Sequence, residues 1–281
     1  MNGATMPPGG LAFKAREIEE VVDVYFFRRA GIVIARLAQE LRLTPTDVTL
    51  ASIAAGALGG LLLASPHLAI PGVALLILHG ILDSSDGQLA RLTGQASDFG
   101  RMMDGVAGYI THVAMYVGVT IAAFPRLGWW AVLLACAGGI CTIVHAQMYD
   151  YHRTTYAAYA IKGEALPAAV GTPHRGLLGF YESMQRVIAG RHPEVERRLA
   201  LNGHAGIVGD ESRQRYRECF YRPVRGWNLL GDNGRRITIA AAVWAGRPEW
   251  FIFAELTLLN VVFVALWWVQ RRADDRFLEG A

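Results

Sequence analysis

The sequence predicts an all-α polytopic membrane protein, with six transmembrane helices behind an N-terminal amphipathic juxtamembrane helix. Three observations carry this. The 281 residues are 53% hydrophobic with a mean hydropathy of +0.26, yet 18% are charged, so apolar runs must alternate with polar segments. In the first segment apolar residues recur at three- and four-residue steps, the helical period. Behind it follow six apolar runs near the length of roughly 20 residues that crosses a bilayer.

Residues 1–10 lack the apolar core of a signal peptide and read as a tail. From Ala15 to about Leu41, Ile18, Val21, Val22, Tyr25, Phe26, Ala30, Val33 and Ile34 form one stripe, punctuated by Arg16, Arg28, Arg29, Arg36 and Arg42. That pattern fits a helix lying along the headgroups, the alternative being a helix packed on a soluble core. Residues 1–45 form this cytoplasmic part. Thr44-Pro45 ends it, Thr46 or Asp47 caps the next helix, and a span runs to Ala64 with Gly56, Gly59 and Gly60 allowing close packing. A second span runs from Pro71 to about Arg91, with His79 as a packing residue one turn before Asp83. After a polar loop containing Gly94 and Ser97, a third span covers about Phe99 to Phe124. The fourth covers about Gly128 to Tyr149, and its polar end, with His145, Asp150 and His152, reads as an interfacial anchor. These four spans make up residues 46–161.

Residues 162–226 contain the breakers TPHRG, RHPE and NGHAG between amphipathic pieces, one of them Leu177, Leu178, Tyr181, Met184, Val187 and Ile188. They read as a helical cytoplasmic insertion, too short and charged for a core of its own. Residues 227–281 then carry two spans, Asn228 to Ala245 and Trp250 to Trp268, and a cytoplasmic C-terminus.

The net charge of +3, without a basic run interleaved with aromatics, argues against nucleic acid as a partner. Cys136, Cys141 and Cys219 form no CxxC and read as free thiols. On this layout 25 of the 27 Lys and Arg fall on one side, leaving Arg126 and Arg247 on the other. Basic residues favour the cytoplasm, so both termini are expected there.

The chemistry concentrates in LDSSDGQLARLTGQASDFGRMMDGVAGYITH, residues 82–112. It sets Asp83, Asp86 and Asp104 in apolar surroundings, where each carboxylate costs about 2.5–3.5 kcal/mol at mid-bilayer and therefore marks a functional site. On a helix Asp83, Asp86, Gly87, Ala90 and Arg91 share an arc of about 140°. Carboxylates suit hard divalent cations, small residues let a ligand reach the backbone, and arginine suits phosphate. The combination points to a metal-bound phosphate ester. A transporter would also explain intramembrane acids, but it predicts broken helices in symmetric halves.

These residues resemble the signature of the CDP-alcohol phosphotransferases (CDP-alcohol phosphatidyltransferases), D-x2-D-G-x2-A-R-x8-G-x3-D-x3-D, from Asp83 through Gly87, Ala90, Arg91 and Gly100 to Asp104. The last position departs from it: Gly108 stands where the family has the Asp proposed to deprotonate the attacking alcohol. The resemblance implies transfer of a substituted phosphate from a CDP-linked lipid donor, with CDP-diacylglycerol expected, to an alcohol acceptor. CMP is released, and the setting is phospholipid biosynthesis. It also implies a divalent metal, Mg²⁺ or Mn²⁺, on Asp83, Asp86 and Asp104, and donor contacts from Gly87, Ala90, Arg91, Gly100 and the Ser97 hydroxyl. Thr46, Asp47 and Thr49 lie in a turn that resembles the family's T-P-N-x-V-T-like turn touching CDP, with Thr46 where Asn is common and plain capping as the other role. A homodimer and a bacterial inner membrane accompany the resemblance. His112, on the Gly100, Asp104 and Gly108 stripe, is the candidate substitute base. Arg235 and Arg236 either bind an anionic acceptor or anchor the chain by the positive-inside rule. The competing reading is an impaired member that keeps a nucleotide and metal site without turnover.

Overall fold

In the computed structural model residues 16–166, 177–202 and 207–280 are described, and among them the regular elements are all helical. The expected tail, TPHRG and residues 203–206 lie outside the described residues. Contacts divide the chain into one unit of residues 20–140 with 232–256 and another of 17–19, 141–231 and 257–281.

In the first unit, a π-helical turn Asp23–Phe27 leads into α1 (Arg28–Glu40). This helix buries Gly31, Ile32, Ala35 and Ala38 while Val33 and Leu37 stay exposed. α2 (Pro45–Leu62) opens on a capping box: Thr44 accepts from the Asp47 amide at 3.2 Å, and the Asp47 carboxylate accepts from the Thr44 amide at 2.8 Å. The cap is therefore Thr44, not Thr46 or Asp47, because Pro45 at the first helical position fixes the start. α3 (Ala69–Thr93) and α4 (Asp98–Leu127) both pack on α2. The approach is close enough that a Cβ on Gly59 would lie 2.9 Å from the carbonyl oxygen of Gly72, and one on Gly60 2.5 Å from the Met115 amide nitrogen. The apolar core gathers Leu63, Leu76, Met115, Val119, Ile239 and Phe251. His79 is a packing residue, its Nδ1 2.8 Å from the Ser52 hydroxyl on α2.

α5 (Trp129–Tyr156) contributes to both units and continues through a π-helical turn to Lys162. The second unit adds α6 (Leu177–Ile188), α7 (His192–Asn202) and α8 (Asp210–Trp227). Its interior is polar and aromatic: His192 Nδ1 lies 2.8 Å from Asp274 Oδ1, and its Nε2 lies 3.0 Å from the Tyr216 hydroxyl. His152 stacks on Trp227, and His145 meets Asn260 at 3.2 Å. Both histidines are buried, so the expected interfacial anchor does not hold for them. Their rings fill the space among α5, α8 and the last helix.

α9 (Asp232–Trp244) belongs to the first unit, and α10 (Trp250–Ala254) runs through a π-helical turn into α11 (Asn260–Glu279). Among the described residues five helical stretches are long and apolar enough to cross a membrane: 45–62, 69–93, 102–127, 129–162 and 250–279. The chain is thus an integral membrane protein. The expected span at 228–245 is not among these five. α9 has 13 residues, about 20 Å of helix, against roughly 30 Å of hydrocarbon.

Candidate active site

The motif residues fall on two helices joined by a four-residue turn. Gly94, at a left-handed φ of 69°, ends α3, and the Ser97 hydroxyl starts α4 by accepting from the Gly100 amide at 3.0 Å. Asp86 is 6% exposed and accepts from the Thr49 hydroxyl at 2.6 Å, tying α3 to α2. Asp83, one turn earlier, is half-buried, and Asp104 is exposed. Asp104, Arg236, Asp86 and Asp232 all lie within electrostatic reach of Asp83. The three motif carboxylates thus share one neighbourhood. Arg91 lies over Gly87, where a Cβ would stand 3.5 Å from its guanidinium. Gly108 faces open space, with nothing within 4 Å of a Cβ placed there.

Thr49 is at the site through Asp86, whereas Asp47 is engaged in the α2 cap and Thr46 is half-buried beside it. Ala90 is half-buried next to Arg91. The two arginines of α9 part company. Arg235 is 2% exposed and paired with the buried Glu255 at 3.0 Å. Arg236 faces the carboxylates, with its guanidinium over the Phe27 ring and 3.1 Å from a Cβ built on Gly80. His112 reaches α9 as well, its Nε2 lying 3.6 Å from Asp232 Oδ1.

Asp232 is the residue that sequence reasoning missed. Its only signal was an acid just ahead of Arg235 and Arg236 in an otherwise membrane-like segment. Asn233 beside it donates to Glu20 at 2.7 Å and Asp23 at 2.8 Å, and accepts from Arg236 at 3.0 Å. The N-terminal turns therefore fix the start of α9.

As a donor set, clustered carboxylates with no thiolate fit a hard divalent cation such as Mg²⁺ or Mn²⁺. Among the described residues no three His, Cys, Asp or Glu side chains close into a metal-holding group. The match is one of chemistry rather than of assembled geometry.

A family profile for CDP-alcohol phosphatidyltransferases matches residues 42–174, which contain the motif and α2 through α5. Residues 42–174 belong to the CDP-alcohol phosphatidyltransferase family. Enzymes of this family are transferases that generally use divalent metals. The chain is 29% identical over 153 residues to a phosphatidylinositol phosphate synthase of Mycolicibacterium smegmatis, covering 50% of this chain and 65% of that protein. A CDP-diacylglycerol–serine O-phosphatidyltransferase of Mycobacterium leprae is 34% identical over 121 residues, 41% of this chain and 38% of its own length. A bifunctional IPC transferase and DIPP synthase of Rubrobacter xylanophilus is 33% identical over 116 residues, again 41% of this chain and 25% of its own length. The chain thus spans less than two thirds of each of these curated relatives. Within the CDP-alcohol phosphatidyltransferase domain, Gly108 is its departure from the motif.

Proposed function

We propose that the protein transfers a substituted phosphate from CDP-diacylglycerol to an alcohol and releases CMP. The gathering of Asp83, Asp86 and Asp104 beside Arg91, on helices long enough to sit in a bilayer, carries this reading. A lipid-linked donor suits the location, because its acyl chains stay in the bilayer while its nucleotide meets the carboxylates. Arg91, over the bare backbone of Gly87, would hold a phosphate of the donor. A divalent ion held by the three carboxylates would neutralise diphosphate charge and so ease departure of CMP. Ser97 and Gly100 form the turn beside them. In the proposed layout residues 228–244, about 25 Å of chain once the turn before α9 is included, make a short sixth crossing, α1 lies at the interface, both termini are cytoplasmic and the membrane is a bacterial inner membrane.

For the acceptor we propose a phosphorylated alcohol. Arg235 is engaged with the buried Glu255, whereas Arg236, 3.8 Å from the exposed Asp232, lies within electrostatic reach of Asp83 and would be the cation that meets an acceptor phosphate. One relative is named a phosphatidylinositol phosphate synthase, which agrees. The test is CMP release by purified protein from CDP-diacylglycerol with Mg²⁺ or Mn²⁺, across neutral alcohols and their phosphates. Faster turnover of the neutral alcohols defeats the acceptor assignment, and no release with any acceptor defeats the activity.

Gly108 favours one second reading, an impaired enzyme that retains nucleotide binding. It expects CDP to bind without CMP release by the wild type, and Gly108→Asp to switch release on.

A further inference from the structure

Position 108 leaves the transfer without the family's carboxylate, and the surrounding geometry shows what stands nearby. His112, one turn along α4, holds its Nδ1 2.8 Å from the Gly108 carbonyl oxygen. A carbonyl only accepts, so Nδ1 carries a proton and the lone pair of the neutral ring is on Nε2. That nitrogen faces Asp232 Oδ1 of α9 at 3.6 Å, too far for a hydrogen bond. Two acceptors thus face each other across a gap. A proton arriving on Nε2 converts the pair into an imidazolium and a carboxylate, and the arrangement gains from receiving it.

Asp232 also belongs to the neighbourhood of the motif, since its charge acts on Asp83 together with those of Asp104 and Asp86. The other charged or titratable groups acting on the pair include Arg236, 3.8 Å from the second oxygen of Asp232, Arg235, itself paired with Glu255, and His79 of α3. An acid in the first turn of a helix, four residues before an arginine, has an ordinary electrostatic role. That role does not account for a histidine from another helix, its tautomer fixed by the backbone, facing the same carboxylate.

We propose that His112 and Asp232 together replace the carboxylate absent at position 108, with His112 as catalytic base and Asp232 as its positioning residue. The inference rests on the transferase reading above. In the step, the acceptor oxygen bonds to the donor's β-phosphorus. The bond from that phosphorus to the bridging oxygen breaks, and CMP leaves with the electron pair. The hydroxyl proton passes to His112 Nε2. Asp232 stabilises the imidazolium and, with its side chain 50% exposed, opens a route for the proton to water.

The test measures CMP release at saturating acceptor, with CDP affinity measured in parallel by calorimetry. Asp232→Asn and His112→Ala are each expected to lower kcat by about 10²- to 10³-fold with CDP affinity kept within twofold. The double variant should be no slower than the slower single, because the two act as a unit. Gly108→Asp placed in the Asp232→Asn background should restore at least tenfold of the loss, since a Cβ there meets nothing within 4 Å. Asp232→Glu should retain most activity. An active wild type with Asp232→Asn within threefold of it overturns the proposal, as do multiplicative losses in the double variant. Equal loss of CDP affinity in both the Asn and Glu variants assigns Asp232 to structure alone and also overturns it. A wild type that releases no CMP fails the transferase reading first, and the proposal with it.

Discussion

Asp86 is the most buried of the three motif carboxylates, and the Thr49 hydroxyl at 2.6 Å offsets part of the cost of burying it. Thr49→Val keeps the shape and removes the donor. It is expected to cost about 1–3 kcal/mol and to weaken CDP binding. Thermal unfolding in detergent with a CDP titration checks this, and an unchanged apparent Tm together with unchanged affinity would falsify it. Asp83, half-buried among like charges, reports on the cation instead. Asp83→Asn should abolish the Mg²⁺-dependent part of CDP binding, whereas calorimetry showing equal affinity with and without metal in both proteins would refute a metal role. These residues were legible in the sequence because they sit within one turn-linked pair of helices at fixed spacing. Asp232 was not, since it reaches His112 only after the chain has folded back from far along the sequence. No periodicity records such an encounter.

Individual helices show a second kind of gap between pattern and structure. α2 through α5 follow their apolar runs because length and hydropathy decide a span directly. In α7, α8 and α11 the deciding interactions are buried and polar, so their partners are hidden from any hydrophobic count. His192 and Asp274 are each 1% exposed and 2.8 Å apart, with the Tyr216 hydroxyl bonded to the other ring nitrogen and the Gln270 amide donating to Asp274 at 3.2 Å. Burial in this aromatic interior also pushes the Tyr216 phenol well above the ordinary tyrosine range, keeping it a neutral donor or acceptor at physiological pH. Breaking such a pair leaves a buried group uncompensated. Asp274→Asn is expected to destabilise the second unit by about 3–5 kcal/mol. Its signature is faster proteolysis within residues 141–231 and a lower apparent Tm. A variant as resistant to protease as the wild type would show that the pair contributes no net stability.

Orientation in the membrane is a property of the whole chain, and in the proposed layout Arg126 and Arg247 are the only two cations on the far side. The structure supports grouping them. Arg126 donates to both oxygens of the buried Glu249 at 3.1 Å, and Arg247 lies 3.5 Å from the same carboxylate, so the two sit together at one end of the first unit. Cys219 on α8 offers a probe of the other side, because the positive-inside layout makes α8 cytoplasmic. Burial raises its thiol pKa, so the reactive thiolate is scarce at neutral pH and grows as the pH rises. A membrane-impermeant maleimide should therefore label Cys219 in inverted vesicles, faster at pH 9 than at pH 7, and spare it in right-side-out cells. Arg247→Cys, introduced at an exposed position, should show the opposite sidedness. If Cys219 labels in intact cells while the thiol introduced by Arg247→Cys labels only in inverted vesicles, the carboxylates open away from the cytoplasm. A cytoplasmic nucleotide donor could not then reach them, and the proposed reaction would have to be abandoned along with the orientation.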